Sequence, residues 1–270
     1  MENNARNSTK TSDATVASVH IQHELSDLRR SRRQQYADLI VGDRRLSRLL
    51  LYEAVQWLCA DTTGALGLFL RAKLYPLLLG ACGHGVVFGR NVSLRHPHKI
   101  RLGDGVVLDD NVMLDAKGQN NSGIVIGAGG FIGRNSILSC KDGDIVIEEH
   151  VNIGFNAEVF SGSRVLIGAN TFIAAYCYLI GGDHIAADPD LSVEQQGATS
   201  RGIVIGPHSW LGAGVKVLDG VSIGTRSIAG AGAVVTRDIP DYAVAAGVPA
   251  HVLRDRRDQA AHTPTETQRP

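Results

Sequence analysis

Between Val87 and Val235 the apolar positions of this chain keep a beat of six. The clearest run is Ile126, Ile132 and Leu138, then Ile147, Ile153 and Val159, then Ile167, Ile173 and Leu179. It resumes as Ile205, Leu211, Val217, Ile223, Ala229 and Val235. Fourteen of these fifteen are Ile, Leu or Val and eight are followed directly by glycine, too regular a pattern for composition alone to produce. Small residues such as Gly130, Ser136, Ala157, Thr171, Ser209 and Ala233 sit four places further on. An amphipathic helix needs a period near 3.6 and a half-buried strand a period of 2. Six fits a coil whose flat sides take six residues each and end in a corner. Three sides make a triangular rung, and rungs stack as parallel strands about 4.8 Å apart. Phe88, Leu94, Leu102, Leu108 and Leu114 keep the beat more loosely. The expected fold class is mainly β: a parallel β-helix of hexapeptide repeats, with an N-terminal helical region and a projecting loop.

That loop is visible as a break in the beat. Rung starts run 18–21 residues apart elsewhere, but Ile167 to Ile205 spans 38, so residues 185–202, IAADPDLSVEQQGATSRG, project from the solenoid. Upstream, residues 1–20 are polar and are expected to be disordered. Residues 21–80 read as helical, with arginines at 29, 30, 32, 33, 44, 45 and 48 and an apolar stretch over 49–80 broken near Asp61–Gly64. Pro76 and Gly80 close it. The solenoid domain is expected over 87–240 and a C-terminal extension over 241–270. The plain reading of the helical region is a subdomain packed on the solenoid. The sharper one is peripheral contact with a membrane through arginines, Trp57, Phe69 and a leucine-rich face.

Composition narrows the function classes. Lys plus Arg equal Asp plus Glu at 27 each, which argues against a general attraction to nucleic acid. The four cysteines (Cys59, Cys82, Cys140, Cys177) show no CxxC spacing, so neither a zinc site nor a disulfide framework is expected. No apolar run reaches the ~18 residues of a membrane span, and the N-terminus lacks the apolar core of a secretory signal. A cytoplasmic setting is the default, with the inner membrane face as the variant the helical region raises.

Several segments then match a known family. FNAEVF (155–160), GGDH (181–184), the 185–202 insertion, SWLGAGV (209–215), AGAGAVVTRDIP (229–240) and AAGVPAHVLR (245–254) resemble the hexapeptide-repeat acyltransferases. The resemblance spans roughly 87–254 and is closest to the galactoside, maltose and polysaccharide O-acetyltransferase branch. It implies a left-handed β-helix, acetyl-CoA as co-substrate, a carbohydrate acceptor in polysaccharide biosynthesis, no metal, and a homotrimer whose sites are completed by neighbouring subunits. It also implies roles. His184 would be the general base, a task suited to imidazole near neutral pH. Asn156 would help hold the acceptor. Gly212 and Ala213 would place a backbone N–H on the developing oxyanion, with Trp210 as a wall. Ala231 and Gly232 would let the pantetheine arm lie along the solenoid. Thr236, Pro249, His251 and Arg254 would meet the far end of coenzyme A, His251 standing where the family often has a basic residue. Asp183 is a weaker candidate for orienting His184. Cys177 falls on a small-residue position and reads as packing, and His96-Pro97-His98 as structural.

The expected reaction is acetyl transfer from acetyl-CoA to a sugar hydroxyl in a direct ternary complex. An N-acyltransferase acting on an amino-sugar nucleotide would use the same base and thioester site. A zinc carbonic anhydrase on this solenoid needs three histidines on adjoining faces, which His150 and His184 do not supply. A non-catalytic solenoid is the remaining alternative; it would be expected to lack the histidine, the loop or the terminal signature.

Overall fold

A computed structural model describes residues 15–17 and 31–260, and the expectations for 1–14, 18–30 and 261–270 lie outside the described residues. The chain forms a parallel β-solenoid of about eight rungs with three faces. The repeat positions stack residue on residue. On the third face Leu94, Leu114, Leu138, Val159, Leu179, Val217 and Val235 are register partners up the axis. On the first, Leu102, Ile126, Ile147, Ile167, Ile205 and Ile223 are. The second runs from Phe88 and Leu108 through Ile132, Ile153, Ile173 and Leu211 to Ala229 and Ala245. All are buried, each larger one worth about 1.5–3 kcal/mol.

The small residues between them have their own task. The buried hydroxyls of Ser136, Thr171, Ser209 and Ser227 donate to the carbonyls of Gly154, Gly206, Gly224 and Pro240 on the next rung. A corner carbonyl left dry inside the prism would cost about 1–3 kcal/mol.

The lower end of the prism is closed by helices. Helix α1 (Leu46–Cys59) and helix α2 (Gly64–Leu74) are separated at the predicted break, and a 3-10 turn over Tyr75–Leu77 follows. Tyr75 meets Phe88 edge to face at 5.2 Å, and the Tyr75 and Tyr52 hydroxyls donate to Val92 O and Leu94 O of the first rung. Arg71 is only 2% exposed. Its guanidinium donates to the carbonyls of Phe88, Cys59 and Thr62, tying both helices to the solenoid without a carboxylate. Among the described residues this region is a pair of helices whose inner sides pack on the first rung.

At the other end the sheet runs past residue 240, the boundary expected from sequence. Ala243–Ala246 continues the second face, and His251–Asp255 returns antiparallel along it. The insertion is a hairpin in which Asp183–His184 pairs antiparallel with Ala198–Ser200, with a short helix, Val193–Gln196, at its tip. Thr15–Ala17, inside the segment expected to be disordered, is a strand on the hairpin's outer edge. Backbone pairing with an open edge needs no apolar sequence, so polarity alone did not reveal it.

The His96-Pro97-His98 corner clamps the cap to the first rung. His96, 6% exposed, sits with Nε2 3.0 Å from Asp38 O, its Nδ1 without a partner and 3.9 Å from Asp115 Oδ1. Burial, the largest influence, pushes the imidazole from 6.5 down to about 4. The unfolded chain therefore binds this proton at a higher pH than the folded one. Stability present above pH 6.5 falls as the pH drops toward 4, by on the order of 3 kcal/mol. Denaturation at pH 7 and pH 4.5, beside His96→Gln, checks this: the variant should lose the acid-sensitive component.

Candidate active site

The corner between the second and third faces is built by a column of left-handed residues: Asn91, Asn111, Asn135, Asn156, Tyr176, Gly214 and Gly232, φ between 52° and 73°. Each N–H from Asn111 upward donates to a carbonyl one rung below, Asn156 to Arg134 O at 2.9 Å and Gly232 to Ala213 O at 2.8 Å. Asparagine tolerates this conformation better than most residues. In the lower rungs its amides also form a ladder, Asn91 to Asn111 at 2.9 Å and Asn111 to Asn135 at 3.1 Å. Asn156 thus has a backbone reason to be asparagine. Its half-buried side chain has no hydrogen bond among the described residues, which leaves the amide available to a ligand.

The residue preceding each member of this column directs its N–H outward. At Arg90 that donor is taken by Asp110 Oδ1 of the next rung at 2.6 Å. At Ala213 and Ala231, both exposed and one rung apart, it has no acceptor among the described residues. Gly212 N–H is already used on Ala229 O at 2.8 Å, so of the expected oxyanion pair Ala213 carries the open donor. Gly212 has a different role. A Cβ there would lie 2.6 Å from Ala231 N, so glycine is what lets the two rungs meet.

Aromatic side chains flank this corner. Trp210 is half-exposed on the second face, in register with Phe172 below and Ile228 above. Phe155 and Tyr176, both exposed, stack edge to face at 5.6 Å. Sequence reasoning named only Trp210. The signal for the others was their outward hexapeptide positions in a chain with 5% aromatics.

His184 lies elsewhere. It is exposed, on the hairpin that leaves the far edge of the third face, and its ring has no partner among the described residues. The Asp183 carboxylate accepts from the His184 backbone N–H at 2.8 Å rather than from the imidazole. Ala213 opens the third face of its rung and the hairpin departs from the end of that face one rung below. At about 3.3 Å per residue the two edges are roughly 15–20 Å apart. One chain therefore brings Asn156, Gly212, Ala213, Ala231 and Gly232 to one corner and puts His184 at another. Thr236, Pro249, His251 and Arg254 are exposed at the upper end, above Ala231, with Ala250 N–H on Val234 O folding the GVP turn over the last rung.

Cys177 is buried with its thiol on Gly212 O at 3.2 Å, and burial pushes its pKa up, which fits packing and not nucleophilic use. Among the described residues no three His, Cys, Asp or Glu side chains gather as metal ligands would.

The architecture is a solenoid of hexapeptide repeats with a projecting loop, and the comparisons with known proteins return the same repeat family. Residues 202–237 match the family profile described as "Hexapeptide repeat of succinyl-transferase". The chain is 34% identical to galactoside O-acetyltransferase of Escherichia coli over 147 residues, 45% of this chain and 72% of that enzyme. It is 39% identical over 104 residues to galactoside O-acetyltransferase of Lactococcus lactis, 38% of this chain and 46% of that enzyme. The solved structure of a galactoside acetyltransferase in complex with coenzyme A is 21% identical, with a TM-score of 0.45 over 84% of this chain and 88% of that one. The chain belongs to the hexapeptide-repeat acetyltransferase family. It spans about half the length of several curated relatives, 54% of one from Mycobacterium tuberculosis and 56% of one from Saccharomyces cerevisiae.

The two glycines of the corner should respond differently to substitution. Gly212→Val forces backbone atoms of the next rung apart and should cost about 1–3 kcal/mol. At Gly232, where a Cβ meets open space but φ is +71°, Gly232→Asn should be tolerated better than Gly232→Val. Thermal unfolding of the three variants checks the order.

Proposed function

We propose that this chain is an acetyl-CoA-dependent O-acetyltransferase acting on a hydroxyl of a sugar or polysaccharide precursor. The observation that carries the reading is the pair of exposed, unclaimed N–H groups of Ala213 and Ala231 stacked at one corner of a solenoid whose loop bears His184. The kinship with enzymes named galactoside O-acetyltransferase supports a hydroxyl acceptor.

The chemistry assigns each group a step. A sugar hydroxyl is a poor nucleophile, so a ring nitrogen of His184 takes its proton as the oxygen attacks the thioester carbon. Charge gathers on the thioester oxygen, where the Ala213 N–H donates to it. The C–S bond breaks, and the thiolate of coenzyme A leaves with the proton that His184 returns. Ala231, beside Gly232, offers its N–H to the pantetheine arm. Thr236, Pro249, His251 and Arg254 receive the nucleotide end, with Arg254 on phosphate. Trp210 and Asn156 wall and hold the acceptor. Four free cysteines fit the reducing cytoplasm as the place of action.

Because His184 and the amide corner sit on different edges of one prism, the reading requires a second copy. We assign the working unit to a homotrimer, His184 of one subunit facing Ala213 of the next. An amine could occupy the hydroxyl's place, so the acceptor decides between O- and N-transfer.

Two experiments test this. Thiol release from acetyl-CoA is followed across sugars, nucleotide sugars and amino sugars. An acceptor should raise it, and His184→Ala should lower it by about 10²–10⁴-fold. Release that is indifferent to the histidine sinks the assigned base, and release with amines only moves the reading to N-transfer. Separately, inactive His184→Ala and Ala213→Pro chains are unfolded and refolded together. Partial recovery of activity is expected from sites shared between subunits; none would mean that each chain works alone.

A further inference from the structure

We propose that the helical cap docks on an anionic lipid bilayer through its outward face. The buried stripe of α1, Tyr52, Val55 and Cys59, packs on the first rung. Leu46, Leu50 and Trp57 recur on its opposite side at helical spacing, and Trp57 is 87% exposed. On α2, Gly67 and Arg71 face inward while Leu66, at 63%, and Phe69, at 59%, face out. A monomeric surface rarely spends so many large apolar groups on water without a partner. Tryptophan and phenylalanine at such positions suit the headgroup boundary. Among the described residues no helix is long and apolar enough to cross a membrane, so the contact is one of lying on the surface.

Charge selects the partner. Exposed Arg32, Arg33 and Lys73 have no carboxylate partner among the described residues. Lys73 lies one helical turn from Phe69, on the same face. The Tyr36 hydroxyl donates to Glu53 Oε1 at 2.5 Å, which sets the turn carrying Arg32 and Arg33 beside the apolar stripe of α1. Glu53, the acid on that stripe, is thereby engaged. Asp61, exposed where α1 meets α2, lies 3.6 Å from Arg90, and Arg44 and Arg45 are paired with Asp38 and Asp43. The excess of Arg32, Arg33 and Lys73 beside the apolar face matches anionic headgroups; it does not match a second copy of itself, whose cations would repel it. The cap also closes the end of the prism. In the proposed trimer with parallel axes, three such faces would lie on one side of the assembly and bind together. That multiplication rests on the trimer reading; the contact itself does not.

The test uses the full-length chain and vesicles of phosphatidylcholine, alone or with roughly a third phosphatidylglycerol. Cosedimentation with the anionic vesicles, weakened by salt, is expected. The fluorescence blue shift should vanish in Trp57→Phe, since Trp210 lies outside the cap. Leu66→Ser with Phe69→Ser should weaken partitioning by about tenfold or more, with the circular dichroism spectrum unchanged. Leu66→Asp with Phe69→Asp serves as the harsher pair. No binding to either vesicle, or binding indifferent to both pairs, overturns the proposal. So does a fall in the assembly's mass in the substituted chains, which would assign the face to end-to-end copies. Binding is read without substrate, so its failure and that of the acetyltransferase reading are separate results.

Discussion

A rung of this solenoid cannot bury its inward side chains by itself. Each of its three flat sides offers one large aliphatic residue to the axis, and only the rungs above and below can cover it. The whole molecule depends on that stacking. It requires glycine wherever two rungs meet too closely for a Cβ, as at Gly212 against Ala231. At several corners a small hydroxyl keeps an inward carbonyl bonded. The stacking also fills the interior completely, so any ligand must be held on the outside, at edges and faces.

The same constraint leaves two raw ends. At the upper end the chain folds back on itself, His251–Asp255 pairing with Ala243–Ala246. At the lower end the helical cap supplies apolar cover through Tyr75, Val55 and Tyr52, and Arg71 supplies the polar half. The arginine spends its donors on three carbonyls, one of them, Cys59 O, at the C-terminus of α1, where the helix dipole is negative. This explains a buried cation with no acid beside it. His96 does the opposite: it holds the cap as a neutral ring, because burial favours the uncharged form against the pull of the Asp38 carbonyl.

How much of this the sequence disclosed follows from the range of each interaction. The beat of six encodes contacts between equivalent positions, so the ladder from Leu94 to Val235 and the insertion at 185–202 were readable from spacing. That the cap packs on the solenoid was an expectation of the sequence; the contacts that hold it were not readable, because Arg71 to Phe88 O and His96 to Asp38 O join residues with no periodic relation. The exposed aromatics Phe155, Phe172 and Tyr176 were hidden by their places on outward positions that a period search ignores. The pairing of Thr15–Ala17 with the hairpin is made by backbone alone, and no side-chain pattern records it.

The corner beside the second face shows how a donor is left open to a ligand above the two lowest rungs, where acids cap it. The outward N–H at Arg90 is capped by Asp110, the residue one rung up at the same place in the repeat. Continuing up that column, the equivalent residues are Arg134, Phe155, Ala175, Ala213 and Ala231, none of which has an acceptor side chain. The acid that would satisfy each donor is therefore missing where the carbonyl oxygen and pantetheine are proposed to lie. A carboxylate there would consume the N–H and repel the negative charge that builds on the oxygen. Alanine leaves the donor to solvent at little cost, because the corner is exposed. A ligand then exchanges water for itself without breaking any bond that holds the rungs together. Stability and binding are thus carried by different N–H groups of the same corner: Gly212 and Gly214 hold the rungs, and Ala213 between them is left free.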